Sequence, residues 1–147
     1  MSRVAARPQL QSELFAYSFP VRVYFENTDA GGVVYHGEYL KFLERARTEW
    51  LRHLGFDHQA LARTHQVVFV VFSIAADFVK PARLDDTVSV SVHLESMGKV
   101  RCVFAQEIRR EDEVLVRAKV SVACVTGDPF KPVEIPEPLR RKMEAAT

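Results

Sequence analysis

The chain has 147 residues and a mass of 16.7 kDa, is 48% hydrophobic and 27% charged, and carries a formal net charge of +1. That is the length of one domain able to bury a real core, and the near-neutral balance argues against a general polyanion-binding or nucleic-acid role. No apolar run approaches the ~20 residues that span a bilayer. The opening Met1-Ser-Arg-Val-Ala-Ala-Arg-Pro8 lacks the apolar segment of a secretion signal. Two cysteines without such a signal fit a reducing compartment, so a cytoplasmic location is expected.

Residues 1–16 read as a loosely ordered extension. Tyr17–Phe25 is aromatic and β-branched, a strand pattern in which Pro20 is tolerable near the start or on an edge. A turn follows that contains Asp29, Gly31 and Gly32. From Tyr39, apolar residues recur at Phe42, Leu43, Ala46, Trp50 and Leu54, the spacing of a buried helix face. Leu40 and Leu51 widen the stripe, so cover on more than one side is expected. Gly55 stands where a helix C-terminus would stop, giving about 19 residues and roughly 28 Å of helix.

Residues 56–66 form a connector without a clear period. Val67–Val79 is nearly continuous in apolar residues and reads as a strand buried on both faces, broken by Lys80-Pro81. Val88, Val90, Val92 and Leu94 then alternate with Ser89, Ser91, His93 and Glu95. The Gly98 turn leads into Val100–Ile108, and the Glu111–Glu113 turn into Val114–Cys124, which together imply an antiparallel meander. Prolines 129, 132, 136 and 138 end regular structure, leaving 137–147 as a charged tail and 17–136 as the domain. One long helix and about five strands place the chain in the α+β class.

The chemistry gathers where the Asp29 turn meets the helix. A helix N-terminus offers N–H groups without intrahelical partners and the positive end of the dipole, so it can hold a polarised carbonyl oxygen. The glycines allow the chain to reverse and bring Asp29 near those amides. The alternative is that Asp29 merely caps the turn or the helix. Cys102 and Cys124 fall in phase with apolar strand neighbours and read as core thiols rather than nucleophiles. The five histidines show no zinc-protease spacing, His36-Gly37-Glu38 lacks the Pro-Cys-x-x-Cys partner of a deaminase, and no phosphate loop or dinucleotide fingerprint is present. No metal or redox cofactor is expected.

The run Glu26-Asn-Thr-Asp-Ala-Gly-Gly-Val-Val-Tyr-His-Gly-Glu-Tyr-Leu-Lys-Phe-Leu-Glu-Arg-Ala-Arg-Thr-Glu-Trp-Leu51 resembles the signature of the hotdog-fold acyl-CoA thioesterases. It is most similar to the 4-hydroxybenzoyl-CoA thioesterase type and its relative associated with the Tol-Pal envelope system. The similarity extends over about residues 21–125. It implies a curved antiparallel sheet wrapped around one central helix, assembled as a homodimer or homotetramer. It also implies that Asp29 is catalytic, with the backbone N–H of His36 on the thioester oxygen. Chemically, Asp29 can serve as nucleophile or general base, and the His36 side chain either orients it or itself acts as the base. Asn27 stands where the family more often has Asp, and Gly37 where a larger small residue is usual.

Thioester hydrolysis follows as the expected reaction, on acyl-CoA or on acyl groups carried by acyl carrier protein. Gly32, Tyr35 and Tyr39 are candidate pocket residues, with core packing the alternative for Tyr39. Lys80 and Arg83, or Lys99 and Arg101, are candidates for the CoA phosphates, with solvated charge as the alternative. Arg140-Arg-Lys142 is a candidate surface for a carrier protein. Two further readings are a non-catalytic acyl-ligand sensor or envelope adaptor, and a hydratase or dehydratase; the latter fits poorly with an acid ahead of the helix.

Overall fold

The computed structural model describes residues 17–146. The expected N-terminal extension, 1–16, lies outside the described residues. Five strands, β1 (Tyr17–Arg22), β2 (Val67–Phe78), β3 (Thr87–Met97), β4 (Arg101–Arg110) and β5 (Glu113–Thr126), form one antiparallel sheet in the order β1-β3-β4-β5-β2. The β3-β4-β5 meander is the expected one. Pro20 lies on the edge strand β1, where its missing N–H costs no interior ladder bond.

Helix α1 (His36–His53) lies on one face of the sheet. Its buried stripe, Tyr39, Phe42, Leu43, Ala46, Trp50 and Leu51, meets the inward rows of the meander. Register sets Val90, Ile108 and Val116 in one row and Leu94, Phe104 and Val120 in another. The Trp50 and Phe104 rings meet edge to face at 5.4 Å. Gly55, at φ +97°, ends the helix in the left-handed conformation that the sequence required of it. Among the buried polar residues, Gln106 is the most enclosed, at 1% exposed. Gln106 donates to the carbonyls of Leu43 and Ser91, each at 3.1 Å, and accepts from Arg47 at 2.9 Å. It ties the middle of α1 to two strands.

Three expectations need correction. The connector contains a short helix, α2 (His58–His65), started by Asp57 accepting the Ala60 N–H at 2.7 Å; only Leu61 is buried, too little to show a period. The charged tail is helix α3 (Glu137–Ala145), which buries Leu139 and Met143. Its Pro138 sits in the first turn, where a missing N–H is harmless, so the prolines start a helix rather than end structure. Strand β2 is not covered on both faces: among the described residues it pairs only with β5, and Val71, Phe72, Ile74 and Phe78 are exposed.

Candidate active site

The chain leaving β1 passes through a 3-10 turn, Phe25–Asn27, and closes a small hairpin over residues 28–34. Thr28 bridges Val34, Asp29 N–H donates to Val33 O at 2.9 Å, and Gly32 N–H donates back to Asp29 O at 3.0 Å. Gly32 holds φ +79°, a turn conformation that strains side chains. Asp29 Oδ1 accepts the Gly31 N–H at 2.8 Å, and Oδ2 has no partner among the described residues. Asp29 thus does cap its turn, as the plain alternative had it, but with one oxygen only. Asp29 is exposed, with its carboxylate tied to the turn through Oδ1.

From Val34 the chain turns directly into α1, with Tyr35 as N-cap. Tyr35 supplies no side-chain oxygen to the first turn, and the His36 and Gly37 N–H groups have no partner among the described residues. Two donors at the positive end of an 18-residue helix are therefore open. The Tyr35 ring lies 4.3 Å from that of His36, tilted by 40°, and a Cβ on Gly37 would stand 2.9 Å from Tyr35 Cε2. Glycine at 37 is what lets this ring lie along the first turn. Phe78, at the end of β2, closes the cluster at 6.2 Å from His36 and 5.6 Å from Tyr39.

Loop 79–86 braces the hairpin from the other side. Val34 N–H donates to Ala82 O at 2.9 Å, Val33 bridges Arg83, and Tyr39 Oη accepts the Ala82 N–H at 2.9 Å. Tyr39 is buried, and burial pushes its phenol upward, with the Asp29 charge adding to the shift. It serves as a support beneath the site rather than as an exposed pocket wall.

The structure brings together Asp29, Gly32, Tyr35, His36 and, through the bridge to Val33, the backbone of Arg83. Lys80 is drawn elsewhere, its Nζ 2.7 Å from Glu113 in a cluster with Arg110 and Asp86. Lys99 and Arg101 lie at the far turn. Arg101 stands 5.1 Å over the Phe72 ring, and Lys99 O is held by Ile135 N–H and Arg140. Arg140 spends its guanidinium on the Gly98 and Lys99 carbonyls and Arg141 pairs with Glu137 at 3.0 Å, while Arg141 and Lys142 stay exposed.

One contact near the site escaped the sequence reading. Asn27 donates to Glu38 Oε1 at 2.7 Å, and Lys41 with Asn27 holds the Glu38 carboxyl below the usual range. Asn27 and Glu38 stand 11 residues apart across the hairpin, outside any capping-box spacing, so no local signal in the sequence marks the pair. Cys102 and Cys124 are buried and free, with burial pushing their thiols up to about 12 and about 11. They are core residues, as expected.

A long helix laid on an antiparallel five-stranded sheet, with an acid-bearing hairpin at the helix N-terminus, is the hotdog arrangement. Residues 31–117 match the model of the thioesterase superfamily, and the chain belongs to that family. It is 46% identical over 124 residues to a Haemophilus influenzae protein named acyl-CoA thioesterase YbgC, a match that covers 84% of this chain and 91% of the relative. An Escherichia coli O6:H1 protein named acyl-CoA thioester hydrolase YbgC is 46% identical over 122 residues, covering 82% and 90%. The crystal structure of a probable thioesterase from Bartonella henselae superposes with a TM-score of 0.79 at 35% identity, covering 82% of this chain and 98% of that one. Among the described residues no helix is long and apolar enough to cross a membrane.

Proposed function

We propose that the chain hydrolyses acyl-CoA thioesters to a carboxylic acid and free CoA, with Asp29 as the reacting acid and the first-turn amides of α1 as the oxyanion site. The relatives' names support CoA, rather than a carrier protein, as the thiol. The observation that carries the site is the pairing of a carboxylate oxygen without a partner, Asp29 Oδ2, with the open N–H groups of His36 and Gly37 at the other end of the same hairpin.

Sulfur donates little resonance to a thioester carbonyl, so two amides on its oxygen make the carbon strongly electrophilic. Asp29 Oδ2 then either adds to that carbon, giving a mixed anhydride that water opens, or takes the proton of an attacking water. Thiolate leaves without a strong general acid in both routes. The Gly31 N–H on Oδ1 fixes the carboxylate plane throughout. Tyr35 and the His36 ring flank the acyl group, Gly32 keeps the approach open, and Arg83 meets the CoA phosphates. Lys80 is less suited to that task because Glu113 already neutralises it.

The exposed edge of β2 supports a homo-oligomer. A row of strand N–H and C=O groups unpaired among the described residues, with Val71, Phe72 and Ile74 between 39% and 52% exposed, fits a second copy of the same strand. Phe78, which touches the His36 cluster, lies on this edge, so the pocket would be completed across that interface.

The decisive experiment is Asp29→Asn. Thiol release from a series of acyl-CoAs should fall by roughly 10²–10⁴ in kcat, with KM and melting temperature little changed, since Asn keeps the size of Asp and its bond to Gly31. A variant that turns over at the parent rate removes Asp29 from the chemistry.

A further inference from the structure

The hairpin that carries Asp29 and the helix that carries the open amides belong to different elements, and their relative height decides whether a carbonyl can meet both. Asn27 spans them. It is 8% exposed; its Oδ1 accepts the Tyr24 N–H at 2.7 Å, and its main-chain oxygen accepts the Tyr35 N–H at 3.1 Å. Its Nδ2 crosses to Glu38 Oε1, also at 2.7 Å, in the first turn of α1. The other Glu38 oxygen takes Lys41 Nζ at 2.8 Å. Arg45 on the helix and Glu26 on the 3-10 turn are the remaining charges acting on this group.

We propose that the Asn27–Glu38 bridge is the positioning device of the site, setting the Asp29 hairpin at a fixed height against the His36 and Gly37 N–H groups. This rests on the reading of Asp29 and those amides given above. A donor is needed at position 27 because its partner is a carboxylate, and an amide-to-carboxylate bond is charge-assisted and therefore stronger than a neutral one. An ordinary capping contact would tolerate an acid here. A positioning bridge would not, because two carboxylates at this distance share a single proton or repel.

Asn27→Asp turns that distinction into a pH profile. Asp keeps an acceptor for the Tyr24 N–H, so the turn survives. Its second oxygen meets Glu38, and one member of the pair titrates above the ordinary carboxylate range. Lys41 and Arg45 lower that range without removing it. Below it the shared proton restores the bridge, so kcat at about pH 5.5 stays within a few-fold of the parent. As pH rises the proton is lost and the hairpin is pushed away, and kcat falls by roughly 10–100-fold relative to the parent by about pH 8.5, with KM moving less. Asn27→Asp/Glu38→Gln exchanges donor and acceptor and recovers kcat at the higher pH.

Melting temperatures at each pH accompany the rates. If Asn27→Asp loses its fold at high pH, the double variant decides: recovered turnover supports the bridge, and recovered stability without turnover overturns it. A parent-like profile for Asn27→Asp overturns it too. Asp29→Asn runs alongside and should be slow at every pH. Parental turnover in that variant would remove the reading beneath, whereas a slow Asp29→Asn beside a parent-like Asn27→Asp removes the bridge alone.

Discussion

Gln106→Leu is the perturbation that best tests how α1 is held on the sheet. The side chain is 1% exposed and makes three hydrogen bonds, to Leu43 O, Ser91 O and Arg47 Nη1. Leucine is close in volume, so no cavity opens. What is lost is about 1 kcal/mol for each of the two neutral bonds and about 2 kcal/mol for the bond to the guanidinium. The added apolar burial returns about 1 kcal/mol, leaving a net loss of about 3 kcal/mol. For a chain of this length that lowers the melting temperature by about 6–12 °C. Arg47 supplies an internal check. Burial already lowers its pKa, with the nearby Glu44 charge only partly offsetting this, so removing Gln106 takes a hydrogen bond from a buried guanidinium. Arg47→Met/Gln106→Leu should therefore be more stable than Gln106→Leu alone, which thermal and urea melts of the four proteins would show. A fall of less than about 2 °C in the single variant, or simple additivity in the cycle, refutes the network as a fastening.

Two further outcomes follow from the core and the sheet edge. The thiols of Cys102 and Cys124, held up at about 12 and about 11 from 9.0, should resist a thiol reagent at about pH 8 in the native state and react fully in denaturant. Because both pKa values are raised on folding, the stability they contribute is intact below about pH 9 and is lost as pH rises toward the folded values; urea midpoints flat across that range would contradict the burial. For β2, light scattering should give at least twice 16.7 kDa at micromolar concentration, and Ile74→Lys should shift the protein toward the single-chain mass with its circular dichroism retained. A parent protein that already runs at 16.7 kDa removes the edge-pairing proposal.

What was legible in the sequence was whatever is written within a few residues. The α1 stripe from Tyr39 to Trp50 is a period of one helix, the β3-β4-β5 alternations are periods of single strands, and the Asp29-Ala-Gly-Gly hairpin closes on itself. Each can be read without knowing what it packs against. The readings that failed depend on distant partners. Helix α3 is charged along most of its length, and its place in the core rests on two side chains, Leu139 and Met143, with Arg140 gripping a turn more than 40 residues away. Asn27 read only as a departure from the family's more usual Asp because its partner, Glu38, lies 11 residues on, beyond a hairpin whose closure no local period announces.

Strand β2 failed differently, and its failure is informative. A strand with apolar residues on both faces needs cover on both, which in a parallel sheet comes from helices and in this fold is absent on the outer edge. The same composition that reads as burial in one chain reads, at a sheet edge, as surface waiting for a partner. Natural proteins blunt exposed edges with charge, proline or short length. Over Val67–Phe78 this edge has 12 residues, one acid and no proline. Phe78, which ends that strand, also closes the aromatic cluster beside His36. The proposed edge pairing and the pocket would thus make demands on one residue, and a change that frees the edge should also loosen the wall of the site.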